Sequence, residues 1–263
     1  MQKKDLIKKI TQKKEFSNLR EGDVLLAFEN FNSDNYSDEE KVKLTRNLLR
    51  KVFSSFTSRK ILSIKKKDEE WFLKKHLSTR ERLPHYEKVY SRIFNKMDKS
   101  LSVIDLGAGI NGLSYNYIKK IGFNVNYTAI ESIGQFVDVL NKYFKDNKLG
   151  GKAVHLSLFE LDEVKKIIKK AKKPRVVFLF KVIDSLEMLK RNYSKNLILE
   201  ISPFCDRFVM SFATKSMVRR KKFRVKRKWI IDFINENFEV LDVFEFGDEE
   251  YLVFENKGFK KHL

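Results

Sequence analysis

The sequence predicts an α/β fold in which a helical N-terminal region precedes a seven-stranded, mostly parallel sheet. As far as about residue 97, apolar residues recur at helical spacing and β-type alternation is almost absent. From residue 100 onward, short apolar or β-branched runs alternate with helical patterns, which is typical of βαβ units and of a parallel sheet covered on both faces. The last two runs are joined by the short turn GDEE, so they are predicted to be antiparallel neighbours.

The N-terminal region is predicted to contain several short helices. Its apolar residues lie among lysines in three groups: Leu6, Ile7 and Ile10; Val24, Leu25 and Phe28; and Leu44, Leu48, Leu49, Val52, Phe53 and Phe56. Residues 30–38 read NFNSDNYSD, whose Asn, Asp and Ser content predicts a loop. We therefore predict a basic helical domain over residues 1–75, a connecting helix over 76–97 and an α/β domain over 98–263.

The connecting helix opens with the motif HLSTRERLP, residues 76–84. Within it, STRE fits a capping box in which the Ser78 side chain accepts from a backbone N–H three residues on and Glu81 reaches back. Pro84 disfavours the helical conformation at Leu83, so we predict that the chain kinks or restarts a helix there. Neither feature gives a role to Arg82.

Strands and helices then follow in a regular order. Five strands are predicted to be parallel: LSVIDL, NVNYTAIE, KAVHLSLF, RVVFLF and RFVMSF. The helical patterns between them are LSYNYIKKI, IGQFVDVLNKYFK, ELDEVKKIIKKAKK, and DSLEMLKR with SKNLILEI. A helix around residues 228–237 precedes the closing hairpin of FEVLDVFEF and YLVFEN. This is the chain order of the Rossmann-like sheet of class I methyltransferases.

The charge of the chain points to an anionic partner. There are 55 Lys+Arg against 35 Asp+Glu, which gives a formal net charge of +20 over 263 residues. Such a charge destabilises the compact state by self-repulsion, so it usually serves a partner. RNA or another nucleic acid is the first candidate, because neutralising phosphates releases counterions. A membrane surface is the alternative, although there is no apolar run of about 18 residues and no signal-peptide segment in MQKKDLIKKI.

Cysteine and histidine usage restricts the chemistry. The chain has one cysteine, Cys205, and four histidines that do not cluster, which excludes a disulfide framework and a Cys-based structural zinc site. We interpret Cys205 as a packed thiol and predict no metal site. A cytoplasmic monomer without a membrane span is expected.

The first parallel strand runs into the loop DLGAGING, residues 105–112. Glycine after a strand lets the backbone approach a ligand and turn sharply into a helix. The loop fits the G-x-G-x-x-G dinucleotide pattern, but its acidic residue precedes the first glycine, as it does in S-adenosylmethionine binders. We therefore predict S-adenosylmethionine as cofactor, with an NAD-type cofactor as the alternative, and contacts from Asp105, Gly107, Ala108 and Gly109.

The ends of the second and third strands supply further cofactor candidates. Glu131 and Ser132 follow the second strand, where a carboxylate is placed to accept from both ribose hydroxyls of an adenosine. Phe159 and Glu160 end the third strand, where Glu160 could accept from an adenine amino group. The alternative for Glu131 is a solvated loop charge or an acid at the N-terminus of the following helix, and the alternative for Glu160 is an acid in the first turn of its following helix.

Two further features are candidates for contact with substrate. Phe180 and Lys181 end the fourth strand, where a methyltransferase usually meets its substrate, and a lysine is unusual at the end of an apolar strand. Residues 218–228 read VRRKKFRVKRK, in which eight of eleven side chains are cationic. A charge run is often only a solvated loop, but its position favours contacts with RNA phosphates. The predicted RNA-binding residues are Arg219, Arg220, Lys221, Lys222, Arg224 and Lys226.

Several separate stretches resemble the 16S ribosomal RNA guanine-N7 methyltransferases that confer aminoglycoside resistance, the FmrO, Arm and Rmt type. The motifs HxST-x-ER-L and SF-x-T-(K/R)-S are specific, whereas the glycine loop alone is not. The matching stretches follow the family's order across residues 76–256: HLSTRERLPHYEKVYSRIF, VIDLGAGINGLS, FKVIDSLE, FVMSFATKSM and GDEEYLVFEN. The chain is thus identified as a distant member.

The resemblance implies a helical N-terminal domain that docks on the small ribosomal subunit and a core that uses S-adenosylmethionine. It implies that Arg82 clamps the methionine carboxylate of the cofactor. It also implies that Glu131 binds the ribose and Glu160 the adenine, and that Lys181 lies beside the target base.

The chain departs from the family pattern at several positions. In the loop, Ala108 and Gly112 stand where the family has cysteine and proline. Asp184 stands in place of a proline, and Glu131 and Glu160 replace aspartates. The resemblance therefore supports the assignment of the cofactor more strongly than the assignment of the target nucleotide.

The chemistry favours guanine N7 as the methyl acceptor. This nitrogen has a free lone pair and no proton to lose, so transfer requires alignment and exclusion of water but no general base. FKVIDS is not the N/D-P-P-Y/F motif of exocyclic amine methyltransferases, and Cys205 does not end the fourth strand as a cytosine-C5 nucleophile would. We predict methylation in the decoding region of 16S rRNA. The alternatives are a methyltransferase of tRNA or of another rRNA site, and a non-catalytic RNA-binding or ribosome-assembly factor.

Overall fold

A computed structural model describes residues 2–54, 68–214 and 227–258, and it confirms the predicted sheet. The strands β1 to β7 are Ser100–Leu106, Asn124–Glu131, Gly151–His155, Arg175–Phe180, Arg207–Ala213, Phe238–Phe246 and Glu249–Asn256. They form one sheet in the order β3-β2-β1-β4-β5-β7-β6. The first five strands pair in parallel, whereas β7 is antiparallel to both β5 and β6. Only β3 is clearly shorter than predicted, because its last four predicted residues belong to the loop at the strand end.

Helices cover both faces of the sheet and make up the N-terminal region. From the N-terminus, α1 to α6 are Lys3–Thr11, Glu21–Glu29, Asp38–Leu49, Glu69–Lys75, Leu77–Arg82 and Tyr86–Ile93, with a π-helical turn at Arg50–Ser54. In the α/β region, α7 to α12 are Tyr115–Lys120, Gly134–Asp146, Leu161–Lys170, Ile183–Leu189, Tyr193–Ile201 and Lys228–Asn237. Among the described residues, none of these helices is both long enough and apolar enough to cross a membrane.

The helix start predicted at Ser78 is wrong. Helix α5 begins at Leu77 with His76 in the N-cap position, and no side chain caps it through a hydrogen bond. Glu81, the other half of the predicted capping box, instead accepts from the ammonium of Lys181 at 2.6 Å. Tertiary contacts therefore overrule the local capping signal.

The break predicted at Pro84 is confirmed. Helix α5 ends at Arg82, a 3-10 turn spans Leu83–His85, and α6 begins at Tyr86. Leu83 nevertheless keeps helical dihedral angles, with φ −50° and ψ −46°, so the predicted departure of Leu83 from the helical region is wrong. The restart agrees better with the missing backbone N–H of proline.

The N-terminal helices share a hydrophobic core with the sheet. One buried cluster includes Phe28 of α2, Leu49 of α3, Val89 of α6, Val103 of β1 and Phe178 of β4. A second cluster fills the opposite face of the sheet, beneath α9 to α12. Burial of this apolar surface holds the helical region against the α/β region. The domain boundaries at residues 75 and 97 stay a prediction.

Residues 18–20, here called the N-terminal strap, hydrogen-bond to the loop after β2. The Arg20 N–H donates to the carbonyl of Ser132 at 3.3 Å, and the Gly134 N–H donates to the carbonyl of Asn18 at 2.9 Å. Between these bonds the strap forms an isolated antiparallel bridge with the loop. The strap thereby fixes the start of α2 beside the carboxyl ends of the strands.

Candidate functional site

A cavity opens at the carboxyl ends of β1, β2 and β4, where an open parallel sheet usually binds its ligands. Its empty volume, open solvent at the mouth included, is about 840 Å³. Part of its wall comes from the N-terminal region: Asp23 of α2, Val52 and Phe53 of the π-helical turn, and His76. The cavity is therefore built by both regions of the chain.

Most of the predicted cofactor residues line this cavity. From the connecting helix and the ends of β1 and β2 come Arg82, Gly107, Ala108, Gly109, Glu131 and Ser132. From the ends of β3 and β4 come Phe159, Phe180 and Lys181. Two predicted residues, Asp105 and Glu160, are not among the described residues that form the wall.

Glycine is required at two positions of the loop after β1. Gly107 and Gly109 have φ values of +70° and +53°, in the left-handed region that side chains rarely adopt. A Cβ on Gly107 would lie 2.6 Å from Cγ2 of Val182, and one on Gly109 would lie 3.3 Å from the imidazole of His76. The glycines thus let the loop pass close to its neighbours while it forms the cavity floor.

Glu131 holds the loop from the end of β2. One carboxylate oxygen accepts from the N–H of Gly109 at 2.7 Å, and the other accepts from the N–H of Ile133 at 2.8 Å. The residue is only 6% exposed. Burial raises the pKa of Glu131 to about 7, although the backbone donors oppose the shift. A ligand that donates hydrogen bonds to this carboxylate would favour its charged form.

Arg82 is fully buried at the edge of the cavity and donates three hydrogen bonds. Its acceptors are the Tyr251 hydroxyl at 3.0 Å, the Asn111 side-chain oxygen at 2.8 Å and the Glu249 carboxylate at 2.6 Å. The guanidinium also lies 4.5 Å from the ring centre of Phe180. Burial alone would lower the pKa of Arg82, but Glu249 keeps it well above the usual value. The cavity edge therefore carries a permanent cation.

Glu249 connects Arg82 to Lys181. The Lys181 ammonium lies 3.1 Å from the second oxygen of Glu249 and 2.6 Å from Glu81. Burial would raise the pKa of Glu249, but the two cations hold it below its usual value. Lys181 has a φ of +55°, so its side chain leaves the strand end in an uncommon direction. No sequence motif assigned a role to Glu249, which lies at the start of β7.

Asp105 supports the cavity wall from behind. It is 1% exposed and accepts from the Asn111 amide at 2.9 Å and from the Tyr127 hydroxyl. Asn111 lines the cavity and in turn accepts from Arg82. Asp105 therefore orients Asn111, and its predicted contact with the cofactor stays a prediction.

Glu160 is held by an ion pair and is not among the residues that line the cavity. Both of its oxygens accept from the guanidinium of Arg20, at 3.0 and 3.1 Å. The acid that does reach this end of the cavity is Asp23, which is 2% exposed. The hydroxyls of Ser132 and Ser157 both donate to Asp23.

The sequence contained one signal for Asp23. It lies four residues before Ala27 and next to Val24, on the apolar and buried face of α2. An acid on such a face is buried at a cost unless it is hydrogen-bonded. That pattern indicates a partnered carboxylate, although it does not show which residues the partners are.

The charges of the cavity are separated by the glycine loop. Asp23 and Glu131 lie on the side of β2 and β3, whereas Arg82 and Lys181 lie on the side of β4 and β7. Such a cavity suits an elongated ligand that carries hydrogen-bond donors at one end and an anionic group at the other.

The raised pKa of Glu131 predicts a pH-dependent stability of the ligand-free protein. Its folded-state pKa of about 7 exceeds the ordinary 4.5, so the folded state binds the extra proton between these values. The wild type should therefore lose up to about 3 kcal/mol relative to Glu131→Gln as the pH rises from 4.5 through 7. Urea unfolding of both proteins at pH 5 and pH 8 measures this. Other titrating groups are common to both, and parallel pH profiles would contradict the assignment.

Comparison with known proteins identifies the family. The model of the FmrO ribosomal RNA methyltransferases matches residues 47–239, which is well over half of the chain. No curated protein sequence matches the chain.

Solved structures with the same fold cover nearly the whole chain. The 16S rRNA methylase RmtB is 18% identical, with a TM-score of 0.76 over 98% of this chain and 99% of that one. The 16S rRNA methyltransferase RmtF in complex with S-adenosyl-L-homocysteine is 19% identical, with a TM-score of 0.78 over 98% of this chain and 100% of that one. An rRNA methylase from Escherichia coli is 18% identical, with a TM-score of 0.74 over 97% and 99%. These likenesses confirm the fold, helical N-terminal region included.

Proposed function

This chain belongs to the FmrO family of ribosomal RNA methyltransferases, and we propose from that premise that it transfers a methyl group from S-adenosylmethionine to N7 of a guanine in the decoding region of 16S rRNA. The observation that carries the proposal is the charge separation in the cavity, with Asp23 and Glu131 on one side of the glycine loop and Arg82 and Lys181 on the other. S-adenosylmethionine has amine and hydroxyl donors on its adenosine and a carboxylate on its methionine, so it matches both ends.

The cavity residues suggest how the cofactor is held. Arg82 would bind the methionine carboxylate, since three of its five N–H groups are used within the protein and two stay available. Glu131 would accept from the ribose hydroxyls, and its two backbone donors already orient it. The loop of Gly107, Ala108 and Gly109 would pass beneath the methionine.

The chemistry requires alignment more than acid–base catalysis. The methyl group moves in line from the sulfonium to the acceptor, which the protein must hold close while it excludes water. Guanine N7 has a free lone pair, so no base has to remove a proton. Cys205 is 3% exposed and belongs to the second hydrophobic cluster, which agrees with a packed thiol and not with a nucleophile. We propose that Lys181 positions the target base.

RNA would bind to the basic residues that follow β5 in the sequence. The segment with Arg219, Arg220, Lys221, Lys222, Arg224 and Lys226 lies outside the described residues, but its charge favours contacts with phosphates. Arg227, the first described residue after it, pairs with Asp184 of α10 at 2.7 Å. The N-terminal region would add a docking surface for the small ribosomal subunit. We propose that the protein acts as a cytoplasmic monomer and that its product confers aminoglycoside resistance.

A methyl-transfer assay tests the function. The purified protein is incubated with S-adenosylmethionine carrying a tritiated methyl group and with small ribosomal subunits, naked 16S rRNA or tRNA. Label should enter the subunits, and mapping should place it on N7 of one decoding-region guanine, where the modified base becomes sensitive to reductive strand cleavage.

Each other outcome has a distinct meaning. Label in tRNA or at another rRNA site would retain methyl transfer and overturn the target. Absence of label from every RNA, together with absent cofactor binding in calorimetry, would favour a non-catalytic RNA-binding protein.

A further inference from the structure

Asp23 is a cavity residue that lies far from the glycine loop in the sequence. It belongs to α2 in the N-terminal region, is 2% exposed and lines the cavity with Glu131 and Ser132. Backbone hydrogen bonds between the strap of residues 18–20 and the loop after β2 fix the start of α2, which immediately precedes Asp23. Its position is therefore set by the contact between the N-terminal region and the sheet.

Two serines orient the Asp23 carboxylate. The Ser132 hydroxyl donates to one oxygen and the Ser157 hydroxyl to the other, so the carboxylate lies between the ends of β2 and β3. A carboxylate offers about four acceptor positions. Two of them stay available for a donor within the cavity.

Glu160, the acid that follows β3, is the other candidate for this role. Its carboxylate oxygens accept from Arg20, which is the last residue of the N-terminal strap. The same short stretch of the N-terminal region thus pairs with Glu160, which is not among the lining residues, and leads into α2, whose Asp23 is. Glu131 is already assigned to the ribose, which leaves the adenine amine as the donor nearest the end of β3.

We propose that Asp23 binds the cofactor directly, by accepting a hydrogen bond from the exocyclic amine of its adenine. This inference rests on the proposed cofactor. The N-terminal region then has two roles, since it carries the docking surface and completes the cofactor site. By linkage, the cofactor strengthens the docking of α2 on the sheet to the same extent as that docking strengthens cofactor binding.

Two ligands that differ only in the exocyclic amine test the proposed hydrogen bond. S-adenosylhomocysteine is compared with its 6-unsubstituted purine analogue, which lacks only the amine, by calorimetry on the full chain. The wild type should bind the amine compound about ten- to hundredfold more tightly, as expected for a hydrogen bond to a charged acceptor. In Asp23→Ala this ratio should fall to nearly one. Glu21→Gln, an exposed change on the same helix, should keep the wild-type ratio.

The ratio separates recognition from structural support. If Asp23 only holds α2 in place, Asp23→Ala weakens both compounds equally and the unchanged ratio overturns the proposal. If the wild type binds neither compound, the proposed cofactor itself is wrong. That result is distinguishable from an unchanged ratio.

A measurement on the wild type keeps the proposal testable if Asp23→Ala fails to fold. The amine compound, at a concentration that gives equal occupancy, should slow hydrogen–deuterium exchange of residues 18–29 more than its analogue does. Equal protection by the two compounds would overturn the proposal.

Discussion

Replacing Arg82 with methionine is expected to lower the free energy of unfolding by about 3 kcal/mol and to weaken cofactor binding at least about tenfold. Methionine keeps much of the side-chain volume, so the change removes mainly the cation. The stability loss follows because Glu249, whose side chain is 1% exposed, loses its 2.6 Å partner. The Lys181 ammonium, 3.1 Å from the Glu249 carboxylate, compensates only in part for the lost positive charge. Urea unfolding and calorimetry with S-adenosylhomocysteine measure the two effects.

A double-mutant cycle assigns the stability loss to the buried pair. Arg82→Met combined with Glu249→Gln should be less destabilised than the sum of the single changes, because the unpaired buried charge is then absent. Arg92→Met is the matched control, since Arg92 pairs with Asp242 at 2.5 Å on the exposed side of α6. An exposed pair contributes about 0–1 kcal/mol, and the control should bind the cofactor normally.

The cofactor measurement tests the proposed clamp separately. Arg82→Met should lose affinity for S-adenosylhomocysteine but keep its affinity for RNA, because the guanidinium is buried away from the surface. If the folded variant binds the cofactor within about twofold of the wild type, Arg82 supports the structure and the clamp is wrong.

The sheet and the glycine loop were predictable because their signals are local. Each strand is a short apolar run next to a helical pattern, and the positive φ of Gly107 and Gly109 follows from the turn after a strand. The family resemblance singled out Arg82, and Arg82 lines the cavity. Local patterns and motif order therefore sufficed for the fold and for most of the cavity wall.

The remaining site residues depend on partners that are distant in the sequence. Glu160 does not line the cavity, and its carboxylate is bound by Arg20, 140 residues earlier. Asp23 enters because Ser132 and Ser157, 109 and 134 residues later, donate to it. No single-sequence pattern encodes such pairings, and the Ser78 capping signal is overruled in the same way, since Glu81 pairs with Lys181, 100 residues later.

Replacing Lys181 with alanine is expected to lower kcat about a hundredfold while cofactor affinity changes little. The ammonium is held between Glu81 and Glu249 with the side chain 5% exposed, so its position at the cavity is fixed before RNA binds. Small misplacements of reacting groups cost about two orders of magnitude in rate. Single-turnover methylation of small ribosomal subunits, with the cofactor affinity measured separately, shows which step is affected.

Lys181→Arg distinguishes base positioning from charge balance. Arginine keeps the cation between the two carboxylates and should recover most of the free energy of unfolding that Lys181→Ala loses. The planar guanidinium is larger and presents its donors differently, so it should not restore kcat if Lys181 positions the base. Recovery of both stability and kcat would show that Lys181 serves only as a buried counter-ion for Glu249. Lys190→Ala, at the exposed end of α10, is the control that should leave kcat and stability unchanged.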